Sequence, residues 1–229
     1  MRRWSIAAAV GVLALALASA ALAQFSQTSK VTLTAHKAGQ STGIKADIYS
    51  SDPTAPGGKP KGATEVLISL PVNTRFNLAT KLIKPCTLTT KRLESPGGPT
   101  CPRSSQIGTG SAVANASPLT GLSKINGSVT AYVRNSSTII LVVSTTIATP
   151  EVIVATVSGA RLTISVPVER EAGISIVLTL LKLNVPALGS GGDALITAGK
   201  CVAHSFTAKS HFVYTDHSTL DLNSSSPCS

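Results

Sequence analysis

The sequence predicts an all-β protein, an antiparallel β-sandwich stabilised by disulfides. Three observations carry that prediction. Apolar and polar residues alternate with period two in segment after segment, as in strands with one buried face. The breaks between segments from 128 to 185 are too short for the crossover that a parallel pair needs. An even number of cysteines, Cys86, Cys101, Cys201 and Cys228, stands in a chain that opens with an export leader.

The leader occupies residues 1–23. Arg2 and Arg3 supply a positive start, residues 5–20 an apolar run of mostly Ala, Leu and Val, and Ala21-Leu22-Ala23 a small-x-small cleavage site. The run is short for a spanning helix, which needs about 20 apolar residues. Cleavage leaves 24–229 as a single sandwich domain, with a split near 118–122 as the alternative. The only Met and the only Trp leave with the leader, so the core must be built from Val, Ile, Leu, Ala and Thr. No later segment reads as membrane-spanning. Residues 139–157 are cut by Ser144-Thr145-Thr146 and Pro150-Glu151, and 174–188 is short and carries Lys182.

Strands are expected at 31–36, 43–49, 65–70, 111–115, 128–134, 138–146, 152–157, 161–168 and 174–185. The clearest is 161–168: Leu162, Ile164, Val166 and Val168 share one parity, Arg161, Thr163, Ser165 and Pro167 the other. Residues 139–143 are apolar on both parities, as in a central strand. In 174–185 the apolar parity switches, which a β-bulge near Leu180 repairs. From 128 to 185 the segments read as a meander of about five strands. Gly108-Thr109-Gly110 permits a tight bend before 111–115, and 76–83 supports at most a short helix. Many strands with turn signals between them give a sandwich of immunoglobulin-like or jelly-roll-like kind.

Four cysteines allow three pairings. Phe206, Ala208, Phe212 and Tyr214 share a parity, so 203–214 reads as a long strand. Residues 215–218 form a turn, and 219–223 runs back, which carries Cys228 towards Cys201. The other two cysteines flank Glu94-Ser95-Pro96-Gly97-Gly98-Pro99, a strong reversal signal. The expected bridges are therefore Cys86–Cys101 and Cys201–Cys228.

"LPVNTRFN" at 70–77, the cysteine at 86 and "CPRSSQIGTGSA" at 101–112 resemble a group of uncharacterised secreted actinobacterial proteins. Cys201, Tyr214-Thr215-Asp216 and Cys228 are similar to that group's ending, with His217 where its turn has glycine. The resemblance implies a secreted β-rich fold and no activity.

Chemistry is sparsely signalled. His204 and His211 are seven apart and point to opposite faces of a regular strand, His204 with the core-side Phe206 and Phe212, His211 with Lys209. No metal site or cofactor is expected from this spacing. Gly-x-Ser-x-Gly is absent, and the acidic residues are scattered singly, leaving no carboxylate pair. Gly108-Thr109-Gly110 precedes a strand rather than a helix, which excludes a phosphate loop. The remaining signal is charge. The net charge is +10, and Lys59, Lys61, Arg75, Lys81, Lys84, Lys91, Arg92 and Arg103 fall in one region. Such a region suits anionic envelope polymers or lipid headgroups. Nucleic acid is disfavoured, because no aromatic residues interleave with it. The expectation is a non-catalytic exported protein with a structural or binding role in the cell envelope or outside the cell. The alternatives are a secreted hydrolase with a dispersed Ser/His/Asp or carboxylate site, and a carrier of an apolar ligand between the sheets.

Overall fold

The computed structural model describes residues 25–116, 123–167, 170–171 and 174–229. The leader, the alternative split at 118–122 and Val168 lie outside the described residues. In chain order the strands are β1 (Ser26–Leu33), β2 (Ile44–Ser51), β3 (Ala63–Ser69), β4 (Arg75–Phe76) and β5 (Gln106–Asn115). They continue with β6 (Ile125–Asn135), β7 (Thr138–Thr145), β8 (Glu151–Ser158), β9 (Arg161–Ser165), β10 (Arg170–Glu171) and β11 (Ile174–Ser175). The last are β12 (Val177–Val185), β13 (Ile196–Thr197), β14 (Ser205–Tyr214) and β15 (Thr219–Pro227). One α-helical turn, α1 (Thr90–Leu93), lies between β4 and β5.

Eleven strands form one sheet in the order β1-β2-β12-β5-β6-β7-β8-β9-β3-β14-β15, antiparallel between neighbours. The sheet is nearly closed. Its last strand returns to its first, and serine side chains bridge the seam. The Ser224 hydroxyl accepts from the Val31 N–H at 3.0 Å and donates to the Val31 carbonyl at 2.8 Å. Ser226 accepts from the Leu33 N–H at 3.2 Å, and the Ser29 and Ser210 hydroxyls meet at 2.8 Å. Backbone groups on the edge of β1 thus find partners without a further strand.

The inward faces make the main core, including Val31, Ile68, Val129, Leu141, Phe206 and Phe212. The both-parity run at 139–143 has a specific explanation. Ile139, Leu141 and Val143 face that core, while Ile140 faces outward into a second cluster with Cys86, Leu93, Cys101, Tyr132 and Val152. The disulfide loop, not another sheet, covers that outer face. The Glu94 carboxylate accepts from the Val152 N–H at 3.4 Å, and Arg134 donates to the Leu88 carbonyl at 2.7 Å.

Both disulfides join the expected partners: Cys86–Cys101 with Cα atoms 5.4 Å apart and Cys201–Cys228 with 6.0 Å. The bulge in β12 falls between Leu178 and Leu180. Four expectations are corrected. The meander does run through five consecutive strands, but they are β5 to β9; β12 leaves it and inserts between β2 and β5. Gly108 and Gly110 lie inside β5 and make no bend. A Cβ on Gly108 would stand 2.7 Å from the Asn184 carbonyl oxygen, and one on Gly110 would collide with the Lys182 carbonyl. The glycines let two backbones approach where the sheet curves. Residues 77–83 form no helix, because their polar groups bond the 188–195 segment instead. The Asn77 N–H donates to the Leu195 carbonyl at 2.8 Å and Thr80 Oγ1 to the Asp193 carbonyl at 3.1 Å. His204 is exposed, not on the core side. Ala203 and His204 have φ of 47° and 58°, so β14 begins only at Ser205 and its parity does not reach back.

Candidate functional site

The register gives the sheet two unlike ends. One is closed: it holds the last residues of β3, the first of β14, and the Cys201–Cys228 bridge. The connections after β3 and β12 fold across it. There β4 pairs with β13, and Leu78, Leu195 and Ile196 fill the interior, each no more than 2% exposed.

The outward side of this cap is where charge and apolar surface meet. Among the described residues, five large hydrophobics stand exposed, and three are here: Val72 at 70%, Leu82 at 55% and Val202 at 60%. Each is set by local chemistry. In the "LPVNTRFN" stretch Thr74 donates its N–H and Oγ1 to the Pro71 carbonyl at 3.0 and 2.7 Å, and Asn73 takes φ 69°. That tight turn pushes Val72 out. The Lys200 N–H donates to the Val72 carbonyl at 2.7 Å, which brings Lys200 and Val202 beside it. Leu82 lies over Gly189, where a Cβ would be 2.6 Å from Leu82 Cδ1.

Basic side chains share the cap with these aliphatics. Arg75 on β4, Lys81 and Lys84 on the following loop, and Lys200 are exposed on the same cap. Arg103 joins them, because the Lys84 N–H bonds the Ser104 carbonyl at 3.0 Å. Asp193 is an acidic residue of the cap. The eight basic residues expected to act together are therefore divided. Arg75, Lys81, Lys84 and Arg103 converge at the closed end. Lys59 and Lys61 lie at the other end, before the first residue of β3. Lys91 and Arg92 stand on α1, over the outer face of β6 to β8. Sequence reading missed Lys200, Val72, Leu82 and Val202. The usable signal was an isolated aliphatic in each of two turn-rich stretches, "PVNT" and "KCVAH".

The other end is open. It holds the first residues of β1 and β3 and the turn after β14. A cavity of about 120 Å³ opens there between the two halves of the sheet, lined among others by Gln27, Ile48, Lys61, Ile164, Val177 and Phe212. Lys61 latches its rim. Its Nζ donates to Ser218 Oγ at 2.6 Å and to Asp216 Oδ2 at 3.3 Å, and lies 4.9 and 4.8 Å from the ring centres of Phe25 and Tyr214. Phe25 meets Tyr214 edge-on at 5.2 Å. The Ser218 hydroxyl and backbone, with Lys61, pull the Asp216 carboxyl down to about 2. Burial, and then the charge of Asp216, push the Tyr214 phenol up to about 12. His217 holds φ 63° in this turn, a left-handed conformation that favours glycine.

His211 Nδ1 and Asp221 Oδ1 face each other across β14 and β15 at 2.8 Å. On its other side His211 is in register with Leu67 of β3. Among the described residues no three metal-ligating side chains converge, and no helix is long and apolar enough to cross a membrane. No family model, curated protein or solved structure matches the chain.

Proposed function

We propose that the chain is an exported, non-catalytic β-sandwich protein of the cell envelope that docks on anionic lipid surfaces through its closed-end cap. One observation carries this reading: three exposed aliphatic side chains, Val72, Leu82 and Val202, share one end of the sheet with five exposed basic residues. A solvated, solubilising surface has no use for Val72, Leu82 and Val202. A bilayer interface takes both, the aliphatics entering the acyl boundary and the ammonium and guanidinium groups meeting phosphate. Each basic residue near an anionic surface contributes about 1 kcal/mol, screened by salt. Two disulfides suit the oxidising compartment that export implies.

Sedimentation of the mature protein with phosphatidylglycerol-containing vesicles tests this. Binding should exceed that to phosphatidylcholine vesicles and fall with added salt. Lys81→Glu with Lys84→Glu should lower it at least tenfold, and Val72→Asp with Val202→Asp should lower it as well. Loss with the first pair alone would indicate a soluble anionic polymer as the partner. Indifference to both pairs would defeat the reading.

A further inference from the structure

The interior of the sheet is not filled. Beyond the open-end cavity lies a second of about 60 Å³, reached deeper between the sheet halves. Ile48, Ile164 and Leu181 line both cavities, so the two follow one another along a single interior path. The inner one is lined by apolar side chains throughout, among them Ala131, Leu141, Ala155 and Leu195. A dry apolar void of about 150 Å³ takes up benzene rather than water, and the two cavities together are of that order.

The mouth differs from the interior. Gln27, Ser50, Thr145, Thr149 and Thr179 line it with amide and hydroxyl groups, and Lys61 and Glu151 add one charge of each sign. The Lys61 ammonium is already held by Asp216, Ser218 and two ring faces, so it is poorly placed to pair with an incoming anion. An anionic head at this rim would leave water without a committed counter-charge, and the Lys61 ammonium would repel a cationic one. An uncharged head bearing hydroxyls would exchange hydrogen bonds with water for bonds to the rim.

We propose that the open-end cavity binds a single-chain amphiphile, its unbranched hydrocarbon tail between the sheet halves and an uncharged, hydroxyl-bearing head at the mouth. This site stands apart from the docking cap, and neither requires the other.

The test uses the mature protein and three probes with the same saturated octyl-length tail: a monoacylglycerol, a fatty acid and an alkylamine. Native mass spectrometry and titration calorimetry at pH 8 should show one monoacylglycerol bound per chain, at least tenfold tighter than the other two. A monoacylglycerol with a diazirine at the tail end should crosslink to peptides holding Ile48, Ile164 or Leu181. Ala155→Leu should cut affinity at least tenfold without lowering the melting temperature. Should that variant unfold, Ala46→Leu, at a half-buried position on the inner cavity, serves the same purpose. Binding of none of the probes, or crosslinks confined to the outer surface, would overturn the site. Equal affinity for all three would overturn the head-group assignment.

Discussion

At the closed end, two long connections cross the sheet, Leu78, Leu195 and Ile196 on them are packed to 2% exposure or less, and a disulfide ties β14 and β15 together. At the open end the described contacts come from the 52–62 connection, where Asn115 of β5 donates to the Gly57 carbonyl at 3.2 Å. The rim is held by one lysine, one carboxylate, one hydroxyl and two rings. The lesson is about what each kind of closure leaves over. A covalently tied, fully packed plug has aliphatic residues to spare, and it shows them to solvent beside cations. A polar latch leaves the interior behind it hollow.

Removing the closed end's bridge is the strongest way to break this contrast. Cys201→Ser with Cys228→Ser should cost about 3–4 kcal/mol in the chain-entropy account of its loop. Urea unfolding under non-reducing conditions measures it. A loss smaller than that of the latch variant below would reverse the ranking of the two ends.

Between the ends, Gly110→Ala should cost about 1–3 kcal/mol, because the new methyl meets the Lys182 carbonyl. Ser111→Ala, on the opposite, exposed face of β5, is the control and should be nearly neutral. Equal tolerance would mean that β5 and β12 do not approach as closely as their register implies.

Breaking the latch should be milder. Lys61→Met removes two cation–ring contacts and a partly exposed ion pair, for about 1–2 kcal/mol. Thermal unfolding at low and high salt should show only part of that loss screened. The open end should also carry a pH signature. Tyr214 releases its proton at about 12 in the fold and at about 10 when unfolded. The folded state therefore holds the extra proton between those values, and stability should fall as pH rises from 10 to 12. Asp216, depressed to about 2, contributes stability above its unfolded value near 4 and loses it as acid takes the pH down through 2. Tyr214→Phe should remove the alkaline slope.

The smallest effect sharpens the view of the turn itself. His217→Gly should raise stability by about 0.5–1 kcal/mol, since glycine adopts positive φ without the Cβ conflict. A decrease would show that the imidazole has a role beyond filling the turn.

Much of this was legible from residues alone. The alternation around Ile164 foretold its inward face, and the reversal signals foretold both bridges. Where reading failed, local pattern met a long-range fact. "GTG" has the composition of a bend, but its glycines answer to the backbone of β12, more than 70 residues away. "FNLATKLI" has some helical spacing, but its polar groups find partners on a segment that arrives only after β12. The basic cluster shared a region of sequence, yet β3 alone, at about 3.3 Å per residue, puts its members roughly 20 Å apart. Lys200 and Val202 joined the cap through a turn hydrogen bond that no periodicity announces.

By itself the sequence determined which residues of each strand face inward and which cysteines pair, because period-two burial and hairpin reversal are local, and both act within a few dozen residues. Tertiary structure alone decided which strands became neighbours, which cations met exposed aliphatics, and how much of the interior stayed empty. Val, Ile and Leu suit almost any apolar face, so their order says that a strand is buried without saying against what. Whether the side chains then fill the volume between the sheet halves depends on the curvature set by distant backbones.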